Sequence, residues 1–130
     1  MKKLFVSVPM KGRTEEQIRF SINKMKAIAE ATIGEELELI DSYVEDKPPH
    51  TDHEAVWYLG KSIQLLSQAD YHICPDRSYE FPGCRVEMDV AEFYDIPSLV
   101  CPMQYVCPDV WEQRLNEKRE GTLLRPSDIF

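Results

Sequence analysis

The sequence lacks the motifs that identify several common protein classes. Its four cysteines form no CxxC pair and no short Cys/His spacing of the kind that builds a zinc site. A dinucleotide fold requires GxGxxG after the first strand, but the predicted turn there reads PMKGR, and the P-loop string GxxxxGK followed by serine or threonine is absent. The same turn lacks the hydroxyl-rich loop of a flavodoxin and the acidic residues of a phospho-acceptor receiver. These absences exclude the motif-bearing members of each class.

Positive charge is scarce, and so are long apolar runs. The 15 lysines and arginines are outnumbered by 23 aspartates and glutamates, which gives a net charge of −8. Such a chain repels a polyanion, so binding along a nucleic-acid polymer is disfavoured, whereas a single nucleotide in a local pocket is allowed. No apolar run approaches membrane-spanning length, and the stretch after Lys2 and Lys3 is too short for a signal peptide. We expect a cytoplasmic protein with no membrane partner.

Short apolar runs alternate with helical patterns along the chain. Its 130 residues, 43% of them hydrophobic, suit a single domain over residues 1–130, with a C-terminal helix and tail from about residue 108. Strand after helix after strand indicates parallel pairing with right-handed crossovers. We predict an α/β fold, namely a flavodoxin-like, doubly wound open parallel sheet of four to five strands with helices on both faces.

The predicted strands cover residues 4–8, 37–44, 71–74 and 98–101. The first helix opens with a capping box, Thr14 and Gln17, and ends at Gly34. Its predicted buried face consists of Ile18, Ile22, Met25 and Ala29. A second capping box, Thr51 and Glu54, opens a helix with a predicted buried face of Val56, Leu59, Ile63 and Leu66. A third helix follows the loop 75–83, and the last begins at about residue 109.

Glu87 occupies a helical position at which packing alone does not explain a carboxylate. At about 100° per residue, the apolar residues of segment 83–94 form one arc, which consists of Val86, Val90, Ala91, Phe93 and Tyr94. Glu87 projects inside this arc, between Tyr94 and Ala91. A carboxylate in such a place must be paired, be protonated, or face a cavity that uses it.

In a doubly wound sheet, ligands bind beyond the carboxyl ends of the strands, where the strand order reverses. This rule places the turn 9–13, Asp41, the loop 75–83 and Met103 on one rim of the sheet. Glu87 lies in the first turns of the helix that leaves this rim. We therefore expect Glu87 to point at the same crevice.

Four segments in this order resemble the nucleoside 2-deoxyribosyltransferase-like superfamily. They are the string VPMKGR at 8–13, Leu65-x-x-x-Ala69-Asp70 before the third strand, Gly83-x-x-x-Glu87-x-x-x-Ala91, and Asp95-Ile96-Pro97. The resemblance covers about residues 3 to 102. It is closest to a small phage and bacterial group of uncharacterised function whose first turn typically reads GPMTG.

The resemblance implies a nucleophilic role for Glu87. In characterised relatives, the glutamate at this position attacks the anomeric carbon of a 2-deoxynucleoside or its 5′-phosphate and expels the base. Water or a second base then resolves the covalent intermediate. This chemistry is that of a retaining glycosidase and needs no cofactor. Burial of Glu87 against Tyr94 is expected to keep water from the attacking oxygens.

Two residues depart from the pattern of the catalytic relatives. Ser62 stands where they carry an aspartate that orients the substrate or assists the leaving base, and serine cannot act as a general acid near neutral pH. Phe81 stands where the nucleotide-hydrolysing relatives carry a phosphate-binding serine, and Ser78 lies nearby in a loop that looks longer. With the rim positions, the expected ligand-contacting set is Pro9, Met10, Gly12, Arg13, Asp41, Ser62, Ser78, Tyr79, Phe81 and Gly83.

Three interpretations of Glu87 remain open from sequence. The first is an enzyme that cleaves or exchanges the N-glycosidic bond of a (deoxy)nucleoside or (deoxy)nucleotide. The second is a nucleotide-binding, regulatory or sequestering protein with the same pocket and little turnover, which Ser62 favours. The third is a scaffold in which Glu87 pairs with Arg85, Arg13 or Lys11.

Several smaller features have both a functional and a structural interpretation. Lys11 and Arg13 flank Gly12 and either recognise a phosphate or sugar or form a basic helix start. Tyr79 and Phe81 either stack on a base, cover the core or contact another subunit. Tyr58 and the tryptophans Trp57 and Trp111 suit an interface or the core equally well.

Metal binding and thiol chemistry are not expected. His50 and His53 have HxxH spacing, but zinc needs further ligands and the second capping box already accounts for the neighbouring residues. Cys74 and Cys101 lie in apolar runs and are predicted to be buried thiols. Cys84 is either a thiol activated by the helix start or a small residue in a tight turn, and no histidine lies near it in sequence as a base.

The resemblance also implies a homo-oligomer, a dimer or larger. In the relatives a neighbouring subunit helps to close the active site. We expect the tail 121–130, or the last helix, at the interface. The predicted partners are therefore a small-molecule nucleoside or nucleotide and further copies of this chain.

Overall fold

The computed structural model describes residues 1–42 and 47–120 of the chain. The strands are β1 Lys2–Val6, β2 Leu37–Leu39, β3 Tyr71–Pro75 and β4 Ser98–Cys101. The helices are α1 Glu15–Ile33, α2 Glu54–Leu66, α3 Pro82–Phe93, α4 Met103–Val106 and α5 Pro108–Glu120, and a single 3-10 turn covers Ser78–Glu80. Strands and helices alternate in sequence, as the hydrophobic pattern predicts.

The four described strands form one parallel sheet in the order β2-β1-β3-β4. The chain runs outward from β1 to β2 and then crosses over β1 to reach β3. The strand order therefore reverses between β1 and β3, which is where a doubly wound sheet opens a crevice at its carboxyl edge. The prediction of an α/β fold with an open parallel sheet is confirmed.

Helices cover both faces of the sheet because neighbouring residues of β1 point to opposite sides. Leu4 and Val6 join the larger core, which includes residues of α1, α4 and α5. Phe5 faces the opposite way and packs with Leu66 of α2 and the partly buried Val90 of α3. Glu87 lies on the same side of the sheet as Phe5.

The first helix forms as predicted because its signals are local. Thr14 Oγ1 accepts a hydrogen bond from the Gln17 N–H at 3.1 Å, and the Gln17 side chain accepts from the Thr14 N–H at 2.9 Å. Gly34 ends the helix in the left-handed region, with φ of 84°. The predicted buried residues are confirmed, and they are Ile18, Ile22, Met25 and Ala29.

The start of α2 differs from the prediction. Its N-cap is His53, which makes no side-chain capping bond, and Thr51 Oγ1 instead accepts from the His53 N–H at 3.2 Å. The predicted capping box at Thr51 is therefore wrong. Leu66 is buried, but Val56 is exposed and Leu59 borders a cleft, because only the C-terminal half of α2 rests on the sheet.

The strand ends also differ by a few residues. β1 stops two residues earlier than predicted, and β2 spans three residues, after which the Ile40 N–H still donates to the Leu4 carbonyl at 2.9 Å. The predicted end of the second strand, Tyr43 and Val44, lies outside the described residues, as does the tail 121–130. Within 1–42 and 47–120, no helix is both long enough and apolar enough to cross a bilayer.

Candidate functional site

A cleft of about 1030 Å³ lies at the carboxyl edge of the sheet. The turn after β1 contributes Pro9, Met10 and Gly12, α2 contributes Ser62, and α3 contributes Glu87. Residues from the first half of the chain thus meet residues of α3 at the point where the strand order reverses. This position and this size suit a small organic ligand.

Glu87 lies on the buried face of α3, but that face is not the predicted one. The helix buries Cys84, Glu87 and Ala91, which follow a spacing of three and four residues. Phe93 and Tyr94 are 73% and 76% exposed. The helix is therefore rotated relative to the predicted apolar arc, and the expected shielding of Glu87 by Tyr94 is wrong.

The Glu87 side chain is buried without a cationic partner. The residue is 8% exposed, and among the described residues no lysine, arginine or histidine lies within ion-pair distance of it. Burial raises the pKa of Glu87 to about 7, and hydrogen bonds from the hydroxyls of Ser7 and Ser62 keep it from rising further. The carboxyl group thus changes its charge near neutral pH, at the wall of the cleft.

A second buried polar group lies beneath this site. His72 of β3 is fully buried, with its Nε2 atom 2.7 Å from Ser7 Oγ and its Nδ1 atom 2.9 Å from Ser98 Oγ. Burial lowers the pKa of His72 to about 4, so the imidazole is neutral at pH 7. The sequence pattern does not assign Ser7 or His72 to the site. Their signal in sequence is a polar residue within each of two apolar strand regions.

The structure brings seven of the predicted site residues together around the cleft. They are Pro9, Met10, Gly12, Ser62, Phe81, Gly83 and Glu87. Four others, Arg13, Asp41, Ser78 and Tyr79, do not line it. Each of these four residues has contacts elsewhere in the structure, and these explain why it does not line the cleft.

Arg13 is turned away from the cleft and holds the turn after β1. Its Nε and Nη2 atoms donate to the Asp109 carboxylate at 2.8 and 2.9 Å, Nη1 donates to the Pro9 carbonyl at 2.8 Å, and Nη2 also reaches Ser21 Oγ at 2.7 Å. The Arg13 side chain is 4% exposed. The prediction that Arg13 binds a ligand is therefore corrected, because its donors are used within the protein.

The other three residues are placed by their local contacts. Asp41 is exposed and lies 3.6 Å from Arg19. Ser78 is buried and donates to the Pro75 carbonyl, so its hydroxyl closes the turn after β3. Tyr79 is exposed outside the cleft lining. None of the three reaches the cleft wall.

The cleft also contains residues that sequence reasoning did not assign to it. Tyr58 of α2 and Arg114 of α5 both line it. Arg114 pairs with Glu80, and its guanidinium lies 5.3 Å from the ring centre of Phe81. These contacts fix the loop before α3 against α5. No local pattern reveals them, because the two segments are more than thirty residues apart in the printed sequence.

The described cysteines are free and buried. This confirms the prediction for Cys74 and Cys101. Burial, with the nearby Glu87 carboxyl adding to it, raises the pKa of the Cys84 thiol well above its ordinary value. The interpretation of Cys84 as an activated thiol therefore has no support from its surroundings.

A smaller cleft of about 620 Å³ lies at the opposite edge of the sheet. One of its three glutamates, Glu30, accepts a hydrogen bond from the Leu37 N–H at 2.9 Å and lies 3.7 Å from Lys26 Nζ. Glu30 is thus engaged in holding the start of β2. In the described ranges, no group of three or more His, Cys, Asp or Glu side chains is arranged to hold a metal ion.

Comparison of the chain with protein-family models, with curated proteins and with solved structures finds no match. The α/β fold with a four-strand parallel sheet and the geometry around Glu87 are therefore the grounds for assigning a function.

Proposed function

We propose that the protein binds a nucleoside or nucleotide in the switch-point cleft and cleaves or exchanges its N-glycosidic bond through Glu87. The observation that carries this proposal is a buried carboxyl group, without a cationic partner among the described residues, in the wall of a cleft of about 1030 Å³. A buried carboxylate that only stabilised the fold would be expected to pair with a cationic side chain. The resemblance of the sequence motifs to the nucleoside 2-deoxyribosyltransferase-like superfamily also supports this proposal.

The proposed reaction follows the retaining pathway. One Glu87 carboxylate oxygen forms a bond to the anomeric carbon, and the bond from that carbon to the base nitrogen breaks. The base leaves with the electron pair and takes up a proton. Water, or the nitrogen of a second base, then attacks the anomeric carbon, loses its proton to the solvent and releases the Glu87 carboxylate.

The surroundings of Glu87 suit this role. The Ser7 and Ser62 hydroxyls lower the pKa of Glu87 against the effect of burial, so they favour the ionised form that a nucleophile needs. Tyr58 and Phe81 line the same cleft and offer aromatic surface to a base. A nucleoside has a polar sugar and an aromatic base. The carboxyl group of the cleft suits the sugar, and its aromatic rings suit the base.

A second candidate function has one specific observation in its favour. Ser62, which donates to Glu87, occupies the position at which the resemblance implies an aspartate. A serine cannot protonate a leaving base near neutral pH. The second candidate is thus a nucleotide-binding protein, regulatory or sequestering, that retains the pocket and turns its ligand over slowly or not at all.

The experiment that separates the two is incubation with a panel of nucleosides and nucleotides, with released base measured by chromatography. Wild type, Glu87→Ala, Ser62→Asp and the control Glu92→Ala, an exposed glutamate on the same helix, are compared. The enzyme proposal expects base release that Glu87→Ala abolishes and Glu92→Ala leaves unchanged. Release that survives in Glu87→Ala would refute it.

The binding-protein alternative expects a different result from the same panel. Ligand raises the melting temperature without releasing base, and Ser62→Asp gains activity. A panel that produces neither release nor any shift in melting temperature contradicts both candidates. Sedimentation of the full chain tests the expected homo-oligomer, and a monomer at high concentration contradicts that expectation.

A further inference from the structure

Two stacked pairs of side chains join the loop before α3 to α5. The guanidinium of Arg77 lies 5.2 Å from the ring centre of Trp111, and the guanidinium of Arg114 lies 5.3 Å from the ring centre of Phe81. Each segment thus supplies one arginine and one aromatic ring. At these distances a guanidinium is attracted by the electrons of the ring face. The loop and the helix are therefore held together at two neighbouring points.

The two pairs differ in their position relative to the cleft. Phe81 and Arg114 line it, whereas Arg77 and Trp111 do not. Arg114 also forms an ion pair with Glu80, and the two side chains are only 30% and 23% exposed. The guanidinium thus has both a charged partner and an aromatic partner in the same loop. Its contacts restrict the position of the Phe81 ring at the cleft wall.

Phe81 is also fixed relative to Glu87. It is the N-cap residue of α3, and its carbonyl accepts a hydrogen bond from the Arg85 N–H at 2.9 Å. Glu87 follows six residues later on the same helix, a rise of about 9 Å. Both residues line the cleft. The spacing between the aromatic wall and the carboxyl group is therefore set by one helix.

We propose that Arg114 is a positioning residue for Phe81, and that Phe81 recognises the base of the bound nucleoside or nucleotide by stacking. Arg114 holds the ring at the cleft wall, and the ring offers a flat apolar surface that accepts the face of any base. This inference rests on the proposed function, because it states how the same cleft recognises its ligand. The positioning role belongs to α5, which lies outside residues 3–102, the range of the sequence resemblance.

Tyr58 also offers a ring to the cleft, but its ring is held less firmly. It lies on the half of α2 that does not rest on the sheet, and its ring meets that of Trp57 edge-on, with 5.2 Å between the ring centres. Phe81 packs against the larger core and against Arg114. A ring that is already fixed loses less conformational entropy when a base stacks on it. Phe81 is therefore the better stacking surface.

The first test needs no ligand. The full-length protein is labelled with ¹³C-phenylalanine, the Phe81 signals are identified with Phe81→Leu, and ring mobility is measured by ¹³C relaxation. Arg114→Ala should make the Phe81 ring more mobile. The matched control is Arg77→Ala, which removes the other stacked pair between the same two segments and should leave the Phe81 ring unchanged. Equal mobility of the ring in wild type and Arg114→Ala would contradict the positioning role.

The second test measures the affinity for 2′-deoxyadenosine, thymidine and their 5′-monophosphates. Glu87→Gln is used as the background, so that the base is not released. Phe81→Ala should weaken binding about tenfold, Arg114→Ala should weaken it less, and Arg77→Ala should leave it unchanged. Arg114→Lys keeps a cation near the ring and should restore part of the affinity. Because Arg114 acts through Phe81, the double variant should bind no more weakly than Phe81→Ala alone.

Four outcomes would overturn the proposal. Equal losses of affinity in Arg77→Ala and Arg114→Ala would reflect a loosened loop. Losses from Arg114→Ala and Phe81→Ala that add in the double variant would mean that Arg114 acts independently. A larger loss in Tyr58→Ala than in Phe81→Ala would assign the stacking surface to Tyr58. Affinity that does not depend on Phe81 would refute this inference while leaving the proposed ligand intact.

Failure of the proposed function gives a different result. If neither wild type nor Glu87→Gln binds any of the four probes, the proposed ligand and this inference are both refuted. Binding that depends on Phe81 and Arg114, without base release by wild type, supports this inference and refutes only the enzyme.

Discussion

Ser7 Oγ lies 2.7 Å from Nε2 of His72, and both side chains are fully buried. The pKa of Glu87 is raised to about 7, while that of His72 is lowered to about 4. Both shifts have the same main cause, since burial disfavours the charged form of each group. Burial thus shifts both groups toward their neutral forms, and Glu87 changes its charge near pH 7.

Glu87 and His72 should give the free energy of unfolding two opposite pH dependences. Protonated Glu87 is favoured in the folded state, so the free energy of unfolding falls as the pH rises from 4.5 to about 7. Neutral His72 is favoured in the folded state, so its contribution is complete above pH 6.5 and is lost as the pH falls to about 4. Each amounts to about 3 kcal/mol at 1.36 kcal/mol per pKa unit.

Urea denaturation across this pH range measures the two contributions. Relative to wild type, the free energy of unfolding of Glu87→Gln should rise by about 3 kcal/mol as the pH rises from 4.5 to about 7. Relative to wild type, the free energy of unfolding of His72→Asn should fall by a similar amount as the pH rises from about 4 to 6.5. Only the pH dependence of each difference counts, because both substitutions also remove contacts. Differences that stay flat with pH would show that neither group is perturbed by burial.

The pH dependence of catalysis should follow the ionisation of Glu87. A nucleophilic carboxylate must be charged, so kcat/KM for base release should rise about tenfold per pH unit below about pH 7 and level off above it. Initial rates at low substrate concentration measure this profile. A profile that falls with pH over the same range would mean that Glu87 acts as a protonated acid instead.

Removal of the Ser62 hydroxyl should move that profile. Ser62 donates to the ionised carboxyl group and holds its pKa down, so Ser62→Ala should shift the rise of kcat/KM to higher pH. The matched control is Ser42→Ala, which removes a different serine hydroxyl, a buried one, from the cleft wall. A midpoint that moves equally in both variants would indicate a general change in the cleft rather than a lost hydrogen bond.

Arg13 should contribute to stability rather than to ligand binding. Arg13→Ala leaves the partner carboxylate and several acceptors unpaired, and we expect a loss of about 3–5 kcal/mol in the free energy of unfolding. Burial works against the charged form of Asp109, but the hydrogen bonds and charge of Arg13 outweigh it and lower the pKa of Asp109.

The control for Arg13 is Lys26→Ala. Lys26 forms a more exposed pair with Glu30 at 3.7 Å, and its loss should cost at most about 1 kcal/mol. Thermal or chemical denaturation of both variants measures the difference. Equal losses in the two would contradict the role assigned to Arg13.

The fold and part of the site were predictable because their signals are local. The capping box of Thr14 and Gln17 lies within four residues, and the alternation of strands and helices sets the parallel sheet. Glu87 is buried, but together with Cys84 and Ala91 rather than against Tyr94, as the apolar arc predicts. Its position at the switch point then follows from the strand order.

The rest of the site depends on contacts that no local pattern contains. Arg13 meets Asp109 across 96 residues, and Ser7 meets His72 across 65. The rotation of α3 was predicted wrongly because Phe93 and Tyr94 were assumed to be buried, yet both are exposed. Hydrophobic residues often remain at the surface, so an apolar arc on a short helix does not by itself identify its buried face.

The most direct test of the central claim is mass spectrometry of the protein quenched during turnover of a nucleoside that it cleaves. The account predicts a peptide containing Glu87 that is heavier by one sugar residue, and no such peptide from Glu87→Gln. Base release at the wild-type rate by Glu87→Gln, or a sugar attached to a different residue, would contradict it.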